Sequence, residues 1–491
     1  MQRISVFSLV FCFFSFVHTA SAQETTDKGT YAEDDWGEDD DGVGFDDVEV
    51  KPHSSADKQA YSLNGTYRIN SGAWVERPEK ESLARARQSF DLSLEKKTQR
   101  YRLLLAGHVE YDAAYRYRSE GFGQPTLNAY EFLAHFREAY LQWSLGNWDI
   151  TLGRQKVVWG EGMAISHLEV VSPRDTREPG LADIEDLRLP LAATRIGYFH
   201  GMHRFEATIM HEPFFGFRGP PMGPYSPMPE VLADLEMPLP LGGSVSALEA
   251  LGSTQLGFRN KPNKWALNKQ QMLGRWLYNG EGFDFGVYAA SILDRDGTFS
   301  WSDLNADSLI VKIPLQHLRH TLVGVSAASA RGAWLFKTEA VSTIDKAYNT
   351  MIQSAEGPLI QVQRQNALSL MLGIGYSGFD QTTLDLEYGQ SWLQKDIANI
   401  VYPVDIPALA LRVSRAFLRE DLRVNFAISA LGFELEQGWI GRFDCAYTLD
   451  DGIKVGLGAI TYQPGTKERS PLEGLSTHDQ IFGTFRWDFN L

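Results

Sequence analysis

The chain is nearly free of cysteine, with only Cys12 and Cys445 among 491 residues. Cys12 lies in "MQRISVFSLVFCFFSFVHTASAQ", where Arg3 precedes an apolar run and the small residues Ala20 and Ala22 follow it, so residues 1–22 read as a secretory signal. Its removal would leave Cys445 alone, which excludes an intramolecular disulfide. No Cys or His pair has zinc-ligand spacing, and no structural metal or cofactor is expected. Beyond the signal, no apolar run reaches the ~18–20 residues of a membrane-spanning helix, which excludes a helical inner-membrane bundle. An excess of positive charge is missing too. With 46 Lys and Arg against 62 Asp and Glu the net charge is −16, which would repel phosphates and argues against a nucleic-acid partner.

What recurs instead is a segment of about ten residues that alternates apolar and polar positions and is followed by turn residues. In "IFGTFRWDFNL", Ile481, Phe485, Trp487, Phe489 and Leu491 share one face, with Thr484, Arg486, Asp488 and Asn490 on the other. "DLRVNFAIS" and "TLDLEYG" repeat the pattern, the second with Asp385 and Glu387 on its polar face. A soluble all-β protein with one wet face would alternate in the same way. Charges inside such strands fit better in a closed barrel with lipid outside and water inside, because closure also satisfies every backbone group within the membrane.

Candidate strands begin near Leu63, Arg85, Arg100, Tyr130, Trp148, Leu191, Arg204, Leu273, Phe283, Ser308, Leu318, Ala333, Ala367, Thr382, Ala408, Leu422, Gly438, Ile453 and Gln480. That number is odd, whereas bacterial single-chain barrels are even, with short turns at one end and long loops at the other. Short turns counted from both termini agree only if the Ser308–Pro314 segment is not a spanning strand, and Pro314 argues against a central one. The expected fold is therefore all-β, a transmembrane antiparallel barrel of about 18 strands, with 16 as the alternative. It would occupy residues 59–491, behind a tail at 23–58.

The final amphipathic strand resembles the assembly signal of Gram-negative outer-membrane barrels, ending on Leu491 in place of Phe or Trp. "REAYLQWSLGNWDITLGRQKVVWGEG", with "VVSPRDTREPG" and "WLFKTEA" further on, resembles a family of proteobacterial outer-membrane β-barrels classed as a domain of unknown function. The cues are Gly153-Arg154-Gln155, Trp159-Gly160 and Ser172-Pro173-Arg174-Asp175. The resemblance implies export or uptake of hydrophobic compounds, sometimes beside pumps of the resistance-nodulation-division type. The expected surroundings are outer-membrane lipid and the barrel-assembly machinery.

Within the quoted segment, Arg154 and Lys156 would fall on the lipid face if pairing continued in register, at a cost of a few kcal/mol each at mid-membrane. A bulge at Gly153, or exit of the strand from the bilayer, would resolve this. The expectation is that Arg154 turns into the lumen and pairs with Glu138 or Glu339, while Gln155, Lys156, Trp159 and Glu161 line a constriction. From Glu212 onward, "EPFFGFRGPPMGPYSPMPEVLADLEMPLPLGG" is too rich in proline for a strand and reads as an inward-folded loop or an outer lid.

The tail "YAEDDWGEDDDGVGFDDVEV" carries ten acidic residues and no basic one. It reads as a solvated, disordered segment or, through Trp36, Phe45, Asp46 and Asp47, as a docking peptide for a periplasmic partner of such a pump. A calcium loop fails, because Gly37 and Val48 stand where ligands should be. No nucleophile elbow or metal-helix motif accompanies the scattered histidines. The leading function is thus a conduit for hydrophobic or amphipathic small molecules, gated by inward loops. An occluded structural or adhesive barrel is the rival, and a barrel hydrolase using His167 or His211 beside Asp175 or Glu212 comes third.

Overall fold

The computed structural model describes residues 60–490 apart from 77–81, 119–121, 183, 227, 234–235, 239–243, 247–248, 250–255, 262–263, 301–310, 355–356, 396, 398, 402–403 and 468–469. The signal, the acidic tail with Trp36, Phe45, Asp46 and Asp47, and Leu491 lie outside the described residues.

Eighteen strands form one sheet. In chain order they are β1 Ala60–Trp74, β2 Leu83–Lys97, β3 Tyr101–Asp112, β4 Phe132–Leu145, β5 Trp148–Gln155, β6 Leu191–His200, β7 His203–Met210, β8 Gln271–Gly280 and β9 Phe283–Leu293. There follow β10 Arg319–Arg331, β11 Trp334–Ser354, β12 Gly357–Phe379, β13 Thr382–Leu393, β14 Ala408–Phe417, β15 Leu422–Leu431, β16 Gly438–Asp450, β17 Ile453–Pro464 and β18 Gln480–Asn490. Neighbours in the chain pair antiparallel, and β18 pairs with β1, so the sheet closes into a barrel without an edge strand. At one end the connections are turns of two to four residues such as Gly146-Asn147 and Gly332-Ala333; at the other most are longer, including 156–190 and 211–270.

The alternation read from sequence is the alternation of the wall. Phe90, Leu92 and Leu94 on β2, Val323 and Val325 on β10, and Leu372 and Ile374 on β12 are exposed on the outside. Arg85, Arg87 and Ser89 on β2 and Ser326 on β10 are buried on the inside. Near the short-turn end, Trp148 packs against Tyr198 and Trp334 against Tyr376, ring centroids 4.7 and 4.4 Å apart, as in an interfacial aromatic girdle. Among the described residues no helix is long and apolar enough to cross a membrane.

The segment near Ser308 is not part of the wall. Val311–Gln316 pairs in parallel with Leu256–Lys261 as a separate two-stranded sheet, with Pro314 opposite Arg259. A missing ladder donor is tolerated in a two-stranded sheet because each strand has an open side.

Candidate functional site

After Gln155 the chain leaves the wall and folds into the barrel. This inward strap, residues 156–190, is tied on one side to two wall carboxylates. Glu339 of β11, fully buried, accepts the backbone N–H groups of Glu161 (2.7 Å), Gly162 (3.1 Å), His167 (2.8 Å) and Leu168 (3.0 Å), and the Ser166 hydroxyl at 2.9 Å. Glu387 of β13 accepts those of Met163 (2.7 Å), Ala164 (2.9 Å) and Ile165 (2.8 Å). Each carboxylate is five residues beyond the start of its strand, and β12 lies between them, with Met371 opposite Glu339 and Gly373 opposite Glu387. The Trp159-Gly160 pair has a plain purpose here. Trp159 is 1% exposed and packs on Tyr288, 5.2 Å between rings, with Leu168, Leu322 and Val341. Gly160 has φ +93°, and a Cβ there would overlap Glu339 Oε1 and Ser166 Oγ.

Gly160→Ala is therefore expected to unseat the strap from Glu339. The check is cleavage between 160 and 168 by an added protease, which should be several-fold faster in folded G160A than in the parent barrel; equal cleavage would mean that the carboxylate gives way cheaply.

The other half of the strap carries the Ser172-Asp175 cue. The Ser172 hydroxyl accepts the Val157 N–H and donates to the Val157 carbonyl, both at 2.9 Å, closing the loop on itself. Glu169 receives Arg174 at 2.5 Å and Arg188 at 2.7 Å. Arg177 meets Asp175 (2.6 Å) and Glu110 of β3 (2.8 Å). Glu178 takes Arg85 and Arg87 of β2 at 2.5 and 2.9 Å, and Asp186 takes Arg68 of β1 at 2.5 Å together with Arg137 of β4. The Tyr462 hydroxyl of β17 donates to the Pro179 carbonyl at 2.6 Å. With Glu339 and Glu387 at one wall and β1, β2, β4 and β17 at others, the strap crosses the lumen. Burial would raise the Glu178 and Asp186 carboxyls, but the guanidiniums around them prevail and hold both below the usual carboxylate range. The Glu161 carboxyl is raised, by burial and by the nearby Glu339, with the Ser326 hydroxyl at 3.0 Å acting against this.

Of the positions expected at a constriction, Trp159, Glu161 and Glu339 come together. Glu138 accepts the Lys156 N–H at 3.1 Å, at the point where the strap begins. Gln155 is buried, its side-chain amide donating to the Ala193 carbonyl at 3.1 Å.

Arg154 departs from the expectation. It does not pair with Glu138 or Glu339; its guanidinium bonds Glu212, 2.6 Å from Nη1 to Oε1, and lies over the Phe214 ring. The ladder runs through Gly153 without a shift, Gly153 opposite Tyr140 and Arg154 opposite Ala139, so Arg154 keeps the outward parity of Trp148 and Leu152. The bulge falls instead in β4, where two residues, Arg137 and Glu138, stand opposite Ala106, and it is Arg137 that turns inward to Asp186. Glu387 went unassigned in the sequence reading, although its place on a wet strand face was visible.

Toward the long-loop end, the strap and the wall enclose a cavity of about 440 Å³. Val170, Phe215, Ile292, Leu293, Leu322 and Val341 form apolar walls, while Arg174, Arg218, Arg295 and Lys346 bring positive charge. Lys346 is matched by Asp294 and Asp296, each at 3.5 Å, and Arg174 by Glu169. Among the described residues, Arg218 and Arg295 hydrogen-bond only backbone carbonyls: Arg218 to Asp296 and Arg295 at 2.7 and 2.9 Å, Arg295 to Glu169 at 3.3 Å. Burial, then the neighbouring Arg174, brings the Arg295 guanidinium down to about 10, against the opposing pull of Glu169, Asp296 and Asp294.

In overall fold the chain is similar to OccK3 (OpdO) of Pseudomonas aeruginosa, with TM-score 0.47 and 8% identity over 88% of this chain and 95% of that one. For OccK2 (OpdF) of the same organism, solved in complex with glucuronate, the values are 0.44, 11%, 88% and 98%. For the loop-L8 deletion mutant of OmpT, an outer membrane protein of Vibrio cholerae, they are 0.38, 9%, 88% and 99%. No curated protein matches the sequence. The strand and strap bearing the Gly153-Gln155, Trp159-Gly160 and Ser172-Asp175 cues lie within residues 52–402, which match the family described as a protein of unknown function (DUF1302), and the chain belongs to that family.

Proposed function

We propose that this barrel is an outer-membrane channel for small amphipathic molecules with an anionic head, with the strap as its constriction. The observation that carries this reading is the cavity of about 440 Å³ beside the strap, where Arg218 and Arg295, which among the described residues hydrogen-bond only backbone carbonyls, face a lining that mixes polar and apolar side chains. That volume suits a small ligand, and the lining sets an apolar patch of Ile292, Leu293, Leu322 and Val341 beside several charged groups that could anchor a head. An apolar tail against Ile292, Leu293, Leu322 and Val341 would place a carboxylate, sulfate or phosphate near Arg218 and Arg295. The apolar belt outside and the closed sheet make the bilayer the natural solvent for the wall.

The test is direct binding to the refolded barrel, followed by isothermal calorimetry. Dodecanoate is expected to bind and dodecyltrimethylammonium not to. Arg295→Met should weaken dodecanoate about ten- to a hundredfold, the worth of one charge-assisted bond of ~1.5–3 kcal/mol. Equal binding of both amphiphiles would remove the anionic head from the reading. The ties of the strap to opposite walls favour a second reading, a blocked structural barrel. Conductance that stays silent both in the intact protein and after deletion of the strap would support it.

A further inference from the structure

The wall is incomplete on one side. β4 runs from Phe132 to Leu145, but β5 pairs only with Ala139–Leu145 before the chain turns inward at Lys156. The seven residues Phe132–Glu138 therefore have β3 on one flank and, among the described residues, no strand on the other. Eight residues of β5, rising about 3.3 Å each at a tilt of about 40°, climb roughly 20 Å from the Trp148 girdle, short of an apolar band of about 25 Å. The notch begins below the top of that band. Its outer rim is apolar, with Phe132 and Phe136 exposed.

One short segment closes on the notch. After β7 the chain starts from Glu212, which Arg154 joins to the free edge of β4, and turns into the lumen, where the Phe217 ring lies 5.3 Å from His135, Phe214 lies 5.4 Å from Phe217, and the Phe217 backbone pairs with Arg174 and Thr176 of the strap. The side chain between them, Phe215, faces the opposite way and lines the cavity described above. The same six residues thus reach from the notch, at Glu212, to the cavity, at Phe215. Arg154 latches them from outside: it bonds Glu212 and donates through Nε to the otherwise strandless Phe136 carbonyl at 3.0 Å. An ion pair on the lipid-facing parity of a wall is costly unless it closes something, since a charge without its partner would be stranded there.

We propose that this notch is a lateral portal, through which an amphipathic molecule passes between the cavity and the lipid when residues 212–217 swing away from β4. The proposal rests on the channel reading above and adds the route: the apolar tail need never cross water.

The portal can be locked. In a chain with Cys445 replaced by Ser, the pair His135→Cys and Phe217→Cys would bridge β4 to the closing segment, with folding checked by heat-modifiability. Uptake of pyrene-labelled dodecanoate by intact cells is expected to fall on oxidation to the level of cells lacking the protein, and to return with reductant, while potassium chloride conductance stays as before. Uptake that is equal in the oxidised and reduced states would overturn the portal and leave an axial channel. Should the bridge not form, the unlatched pair Arg154→Gln with Glu212→Gln decides, with several-fold faster uptake expected and an unchanged rate counting against the portal. A parent barrel with neither conductance nor uptake would overturn the channel reading, and the portal with it.

Discussion

Replacing Glu339 by alanine is expected to open the lumen. The carboxylate accepts four backbone N–H groups and one hydroxyl of the strap, and it is wholly buried. Bonds to a charged acceptor are worth about 1.5–3 kcal/mol each, and a buried donor left without a partner costs about 1–3 kcal/mol. Five donors stranded together exceed what the seat can hold, so residues 160–168 should leave it for water. Single-channel conductance in planar bilayers should rise several-fold, and the folded barrel should melt earlier in detergent. Glu339→Gln should fall between, because one of its two terminal atoms would point N–H groups at N–H groups. Conductance and melting like those of the parent in both variants would mean that the strap is held elsewhere.

The second large effect is expected at Glu178. Glu178→Gln leaves Arg85 and Arg87 facing each other without their shared carboxylate, both side chains nearly buried. Breaking a buried pair from one side costs about 3–5 kcal/mol, enough to free the strap's far end from β2. Acid should do the same to the unaltered protein, with a definite sign. Glu178, Asp186 and Glu169 are all held below their ordinary values, so the stability they contribute is complete above the usual carboxylate range of about 4 and is lost as pH falls through the depressed values. Glu161, raised by burial, acts in the opposite sense and favours the strap while protonated. Conductance should therefore rise as the pH falls below about 4. In Glu178→Gln it should already be raised at neutral pH. A parent channel whose conductance stays unchanged in such acid would contradict this.

The wall was legible because each of its strands separates lipid from water, which imprints a period of two on the sequence at every crossing. The count of short turns from both ends removed the surplus strand, and Pro314 agreed with it, since a proline inside a paired central strand loses a ladder donor. The site was only partly legible. Glu339 and Glu138 were singled out as partners of a cation, yet both hold backbone N–H groups of the strap. Nothing in a linear sequence says which acceptor a loop 170 residues distant will find. Arg154 was misplaced for a related reason. The irregularity that rearranges this corner of the wall is in the neighbouring strand, at Arg137 and Glu138, and a bulge there leaves no trace in the composition of β5. Glu387 could have been found by asking which other inward carboxylate stands, like Glu339, five residues into a nearby strand.

The closure of β18 onto β1 also fixes an order of events during biogenesis. Thr66 bonds Asp488 at 2.6 Å across 422 positions of sequence, so the last hydrogen bonds of the ring join the chain's earliest strand to its latest. The strap bonds strands on both sides of it in sequence, β1 to β4 before it and β11, β13 and β17 after it. Its early contacts can form while the sheet is still an open ribbon. Its late ones need most of the chain to be present. The long-range contacts of the strap therefore come with those that close the ring, where loop-closure entropy makes formation slowest.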